Sequence, residues 1–236
     1  MLSLQSNVIA SLNVMRLYHG SANIIEAPVF GKGNRHNDYG LGLYCTERLD
    51  LAKEWACTEN KDGFANEYIL ETEDLKVLDL SGEEYHFLNW LAILLENRTF
   101  AISNELSGRA KEYIHNTFMP DYEGYDVIRG YRADDSYFSF AGAFLNNTIS
   151  YEQLGRAMRL GKPGGQIVLK SERAFDRLRF VKVEVANNEI FYPRKMTRDR
   201  LAREAFRKDK GNPSLDGLYM IDILRNKISN DDPRLR

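Results

Sequence analysis

The stretch from Asn34 to Thr46, centred on Tyr39-Gly40-Leu41-Gly42-Leu43-Tyr44, most constrains what this chain can fold into. Glycines at 40 and 42 let the backbone take angles that other residues resist and let a flat ligand approach closely. The segment therefore reads as a loosened loop running into a strand. Leu41, Leu43 and Cys45 alternate along it, and a period of two puts Tyr44 on the opposite face. There the ring is available for stacking and the hydroxyl for orientation; a structural, buried tyrosine is the alternative. Upstream, Arg16-Leu17-Tyr18-His19-Gly20-Ser21 has the same design, a short strand ending in a histidine, a glycine and a hydroxyl.

Strand and helix patterns follow in turn. Thr46 is positioned to cap a helix carrying Leu51, Ala52 and Trp55. Asn66 to Glu71 and Leu75 to Leu80 read as a strand pair. Glu83 to Glu96 carries Leu88, Leu91 and Leu95 at helical spacing, and Glu105 to Thr117 carries Leu106, Ala110, Tyr113 and Ile114. Tyr125 to Tyr131 reads as a short strand. Asp134-Asp135-Ser136-Tyr137 opens a helix, where its polar groups suit either a cap or a contact with a site. Ser150 to Gln153 matches a capping box, before a helix closed by Gly161. Gln166 to Lys170 and Arg179 to Val185 are the late strands. A basic helix is expected from Thr197, a final helix from Tyr219 to Lys227, and a frayed end from Asn230.

With 236 residues, 43% of them hydrophobic and 28% charged, the chain suits one well-cored domain. No apolar run approaches a membrane span and no secretory pattern opens the sequence, so a cytoplasmic location is expected. Cys45 and Cys57 lack metal spacing and read as small buried hydrophobes. His36, His86 and His115 have no mutual spacing for a metal either, and no metal is expected. A net charge of -2 does not fit a strongly basic nucleic-acid domain. The cluster of basic residues from Arg194 to Lys210 reads as a solvated helix face, with a nucleic-acid surface as the alternative.

The two motifs Tyr18-His19-Gly20-Ser21 and Tyr39 to Tyr44, followed by Arg132 to Phe138, Gly165 to Ser171 and Gly217 to Arg225, carry a resemblance. In order and context they resemble ADP-ribosyltransferases of the histidine-tyrosine-glutamate type, which include diphtheria toxin and the poly(ADP-ribose) polymerases. In more detail the chain is similar to a bacterial family of that superfamily catalogued as a domain of unknown function. The resemblance covers most of the chain from Met15, which could itself be the start. It implies an α+β fold on a split, mostly antiparallel sheet with flanking helices, spanning 15–193. Residues 1–14 would be an N-terminal extension, and 194–236 a basic helical appendage packing on the same domain.

The resemblance further implies NAD as substrate, mono-ADP-ribosyl transfer to an unidentified acceptor, and a toxin partnered by a cognate antitoxin protein. In that scheme His19 bonds the ribose, the Gly20 backbone pairs with the carboxamide, Ser21 adds a hydroxyl and Tyr44 stacks on the nicotinamide. Trp55 either covers the other side of that ring or is a core residue. Where the family has a catalytic glutamate this chain has Gln166, which keeps a hydrogen bond to the ribose 2′-hydroxyl but supplies no negative charge. Glu67 and Glu172 are the alternative carboxylates. The second class of function is a catalytically quiet module on the same fold that binds NAD or a partner protein.

Overall fold

The computed structural model describes residues 14–102, 104–133, 135–162 and 164–236. The expected extension before Met15 lies outside these residues except for Val14, as does Asp134 of the Asp134 to Tyr137 motif. Among the described residues seven strands form two sheets in an α+β arrangement. One sheet has β1 (Val14–Ser21), β3 (Gly63–Glu71) and β7 (Leu178–Ala186), all antiparallel in the order β1-β3-β7. The other has β2 (Leu43–Cys45), β4 (Val77–Asp79), β5 (Val127–Gly130) and β6 (Gln166–Leu169), in the order β2-β6-β5-β4. Among these described strands only the β4–β5 pairing is parallel.

The two sheets meet where Tyr18 and Thr46 exchange backbone hydrogen bonds of 2.8 and 2.9 Å, an isolated bridge. That exchange also explains a departure from the expected helix start. The amide and carbonyl of Thr46 are committed to Tyr18, so the residue stays extended, and helix α1 (Leu49–Ala56) begins only after Arg48, without a side-chain cap. Helix α1 lies on the β1–β3 sheet so closely that a Cβ on Gly20 would stand 2.1 Å from the carbonyl oxygen of Ala52. Only glycine permits that approach.

Most of the core lies beside the four-stranded sheet. Helix α2 (Phe87–Asn97) is buried from Phe87 to Leu95 on every face, with Trp90 fully enclosed, so its expected single stripe understates its central position. Around it gather α3 (Glu105–Phe118), α4 (Asp135–Leu145) and α5 (Tyr151–Ala157). Local sequence sets their starts: Asn104 with Ser107, and Ser150 with Gln153, form reciprocal caps. A short α6 (Glu172–Asp176) leads into β7, and α7 (Asn188–Lys210) and α8 (Met220–Arg225) follow.

Three further expectations are corrected. The segments at 66–71 and 75–80 do not pair; they belong to different sheets. The Asp126 side chain accepts from the Lys76 amide at 2.8 Å and its own amide donates to the Lys76 carbonyl at 2.9 Å, which draws β4 to β5 instead. The basic helix starts nine residues before Thr197, capped by Asn187, and runs through Pro193, so position 193/194 falls inside α7. The C-terminal end is packed rather than frayed. Leu235 is 2% exposed, Tyr151 donates to its carbonyl at 2.8 Å, and Asn89 donates to the Asn230 side chain at 2.7 Å.

Candidate functional site

Beyond the Tyr18–Thr46 bridge an antiparallel ladder would next join Gly20 to Tyr44, but it stops. The Tyr44 carbonyl accepts instead from His19 Nδ1 at 2.7 Å. Because Tyr18 directs its N–H and C=O away from β3, alternation along β1 directs those of Gly20 the same way, into the opening between the sheets. The seam thus presents a backbone donor and acceptor beside one histidine and one tyrosine.

Two adjoining cavities occupy this seam. One, of about 460 Å³, is lined by His19 and Tyr44 and walled by the loop from Ile25 to Asn34. The other, of about 230 Å³, is lined by Tyr44, Gln166, Asp38, Arg98 and Arg132. Tyr44 and Asn37 belong to both. His19, Tyr44 and Gln166, far apart in sequence, therefore share one cleft.

On the His19 side most side-chain polar atoms are engaged within the protein. A carbonyl only accepts, so Nδ1 of His19 carries a proton and, in the neutral ring, Nε2 keeps a lone pair. Burial lowers the His19 pKa, opposed by the bond to Tyr44, which favours that neutral form. The Tyr44 hydroxyl donates to the Gly40 carbonyl at 2.6 Å and accepts from the Tyr39 amide at 3.0 Å, clasping its own loop. Gly40 turns that loop with φ of +73°, an angle that suits glycine. Burial raises the Tyr44 pKa, so the ring acts as a neutral platform. Behind the seam the fully buried Asn66 accepts from the Ile25 amide at 2.8 Å and donates to Ser21 Oγ at 3.0 Å and the His19 carbonyl at 3.2 Å.

The Gln166 side differs. Gln166 begins β6, opposite Gly130, and is 7% exposed; its Oε1 is buried and accepts no hydrogen bond among the described residues. Asp38, 5% exposed, accepts from Arg98 at 2.9 Å and from the Ala133 amide at 2.9 Å, holding the loop before Tyr39 against the strand end. Arg132 lies with its guanidinium 4.0 Å above the Trp55 ring.

The remaining sequence candidates sit around this cleft rather than along it. Ser21 lines neither cavity; its hydroxyl donates to the Asn23 carbonyl at 2.6 Å in the turn that starts the loop. Trp55 lines neither cavity and has Arg132 on one face. Glu67 pairs across from Tyr18, whereas His19 pairs with Asn66, so Glu67 lies on the opposite face of the sheet; there it accepts from Arg16 at 2.7 Å. Glu172 is exposed at the start of α6 and lines neither cavity. Ser136 donates to Asp199 and Tyr137 to the Leu160 carbonyl, contacts that tie α4 to α7 and to the turn after α5. Cys45 and Cys57 are buried and free.

Sequence reasoning missed Asp38, Asn66 and Arg98. Asn66 could have been found as the residue flanking Glu67 in a strand of otherwise apolar character; Asp38 and Arg98 carry no local signal, since sixty positions separate them. Among the described residues no group of His, Cys, Asp or Glu could hold a metal, and no helix is long and apolar enough to cross a membrane. No curated protein and no solved structure matches the chain. Residues 15–180, which contain β1 from Met15, β2 through β6 and the whole of this cleft, match the family described as Protein of unknown function (DUF3990), and the chain belongs to that family.

Proposed function

We propose that the chain is a mono-ADP-ribosyltransferase that cleaves NAD in the cleft between the two sheets. The observation that carries this reading is the convergence of His19, Tyr44 and Gln166 on cavities with a common wall, with the Gln166 amide oxygen buried and accepting no bond from the described residues. A buried acceptor of that kind is costly unless a ligand supplies a donor. A ribose hydroxyl is such a donor. The nicotinamide ring would lie on Tyr44, its carboxamide would take the Gly20 N–H and C=O, and His19 Nε2 would accept from the ribose. The loop from Ile25 to Asn34 offers a wall for the adenosine end, and Lys32 a cation for the diphosphate.

In the reaction the bond from ribose C1′ to the nicotinamide nitrogen breaks, and its electron pair leaves with neutral nicotinamide. A new bond forms from C1′ to a heteroatom of the acceptor, whose proton passes to solvent. The protein's contribution is positioning and stabilisation of an oxocarbenium-like state rather than a nucleophile. The roles of toxin and of an antitoxin partner follow from the resemblance alone.

A catalytically quiet module that binds NAD or a partner is the second reading. It is favoured by the uncharged Gln166 and by the Tyr44 hydroxyl, whose two bonds are spent within its own loop. Calorimetric titration with NAD tests both readings: binding is expected, and Tyr44→Ala should weaken it roughly tenfold or more through lost stacking, on the order of 1–3 kcal/mol by analogy with base–aromatic contacts. Absence of binding to the folded parent chain would sink the transferase and the NAD-binding module, and leave only a module that binds a partner. Release of free nicotinamide then separates the transferase from the quiet module.

A further inference from the structure

We infer that the acceptor is a single-stranded nucleic acid, held along a basic track that leaves the cleft on its Gln166 side; as an acceptor assignment this rests on the transferase reading above. The small cavity at Gln166 shares Arg132 with a neighbouring cavity of about 500 Å³, which also presents Arg129, Arg159 and Lys162. That cavity in turn shares Lys162 with one of about 850 Å³ lined by Arg194 and Arg198 of α7. Cations thus follow one another from the reacting centre to the basic helix.

The counter-charges along this route are few and already used. Glu47 pairs with Arg129, Asp38 with Arg98, and Glu54 with Arg198 at 2.7 Å. Arg159, Lys162 and Arg194 make no ion pair among the described residues. Arg159 stands 5.0 Å over the Phe87 ring and Arg194 5.2 Å over Phe191, so both guanidinium groups are held in place by ring contacts. By contrast, Arg200 and Arg203 of the same helix are bridged to Glu204 and Asp199 one turn away, as a solvated face would be. The basic character of α7 therefore divides: part is neutralised within the helix, and part continues the track.

A single phosphate would need one of these cavities. A chain of linked cavities with cations at each junction suits a polyanion whose backbone runs through all of them. A rigid duplex would bridge their mouths, whereas a single strand can enter them and bring one base to Gln166. The net charge of -2 agrees with local rather than general affinity for nucleic acid.

The test uses the full chain and a fluorescein-labelled pyrimidine strand of about ten nucleotides, followed by anisotropy against salt and in competition with the same strand as a duplex and with a phosphopeptide, with NAD titrated in parallel by calorimetry. For four phosphate contacts the logarithm of affinity should fall with that of salt with a slope of about -3, at roughly 0.7 per phosphate. Arg159→Gln with Lys162→Gly should weaken the strand about tenfold or more and make the slope shallower by about 1.4. Lys162 has φ of +50°, so glycine there relieves backbone strain and the single variant Lys162→Gly should remain folded. NAD affinity should not change in either variant. NAD binding without strand binding, strand binding that the variants leave unaltered, or a preference for duplex or for a phosphopeptide would each overturn the assignment. Strand binding with no affinity for NAD would sink the transferase reading and the acceptor role with it, while leaving the single-strand site standing.

Discussion

The two walls of the cleft are built on different terms. On the His19 wall most side-chain polar atoms are held within the protein: Nδ1 by the Tyr44 carbonyl, the Tyr44 hydroxyl by both ends of its loop, and the Ser21 turn by Asn66, which leaves His19 Nε2 and the Gly20 backbone to face the cleft. On the Gln166 wall an amide oxygen is buried and accepts no bond from the described residues. A satisfied network fixes shape, whereas a buried acceptor without a donor stores a free-energy cost that a ligand can remove. On the transferase reading proposed above, the first wall would serve as a mould for NAD and the second would couple binding to chemistry.

The largest effect is therefore expected at Gln166. Gln166→Ala should reduce NAD cleavage by about 10²–10³, the scale for one well-placed catalytic hydrogen bond, with little loss of stability because no bond to Oε1 is removed. Gln166→Glu should keep or raise the rate, since it restores a negative charge near the oxocarbenium-like centre. Nicotinamide release at equal folded fraction checks both. An unchanged rate in Gln166→Ala would erase the distinction between the walls.

Asn66→Ala should have the opposite profile. It strips an acceptor from the Ile25 amide and donors from the His19 carbonyl and Ser21 at a fully buried position. A cost on the order of 2–3 kcal/mol in urea unfolding is expected, with NAD binding weakened because the loop from Ile25 onward lines the larger cavity. If stability held while cleavage fell, Asn66 would belong to the chemistry and not to the mould.

How much of this was legible in the sequence follows the same division. The alternation at Leu43, Tyr44 and Cys45 is a local property, and the strand forms as it implies, with Leu43 and Cys45 buried. The caps at Ser150 and the strand at Gln166 are local in the same sense. Long-range pairing was not legible. Nothing near Thr46 announces that Tyr18 takes its amide and carbonyl and delays the helix. The parallel pairing of β4 with β5 depends on one aspartate fifty positions from its partner. Likewise the C-terminal end reads as polar and loose, yet Leu235 closes over Tyr151. In the site, the residues with a motif around them could be named, while Asp38 and Arg98 could not, because their pairing exists only once the loop before Tyr44 has met the end of α2.

The smallest expected effect concerns the charge state of the His19 wall. Burial lowers the His19 pKa below its ordinary value of 6.5. As pH falls through that value the unfolded chain takes up a proton that the folded chain refuses. Stability from this group is therefore complete above the unfolded pKa and is lost as pH falls through the folded one. His86, also lowered by burial, acts in the same direction, whereas the depressed carboxylates of Asp126 and Asp199 lose their contribution only in more acidic solution. Melting temperature should decline between pH 7 and 5. His19→Asn, whose amide nitrogen can replace Nδ1 as donor to the Tyr44 carbonyl, should flatten part of that decline and leave the share from His86. Differential scanning calorimetry at matched ionic strength reads the two slopes. Equal slopes would mean that His19 is as easily protonated when folded as when unfolded, and the picture of a neutral, pre-set wall facing one with a buried open acceptor would fail at its first residue.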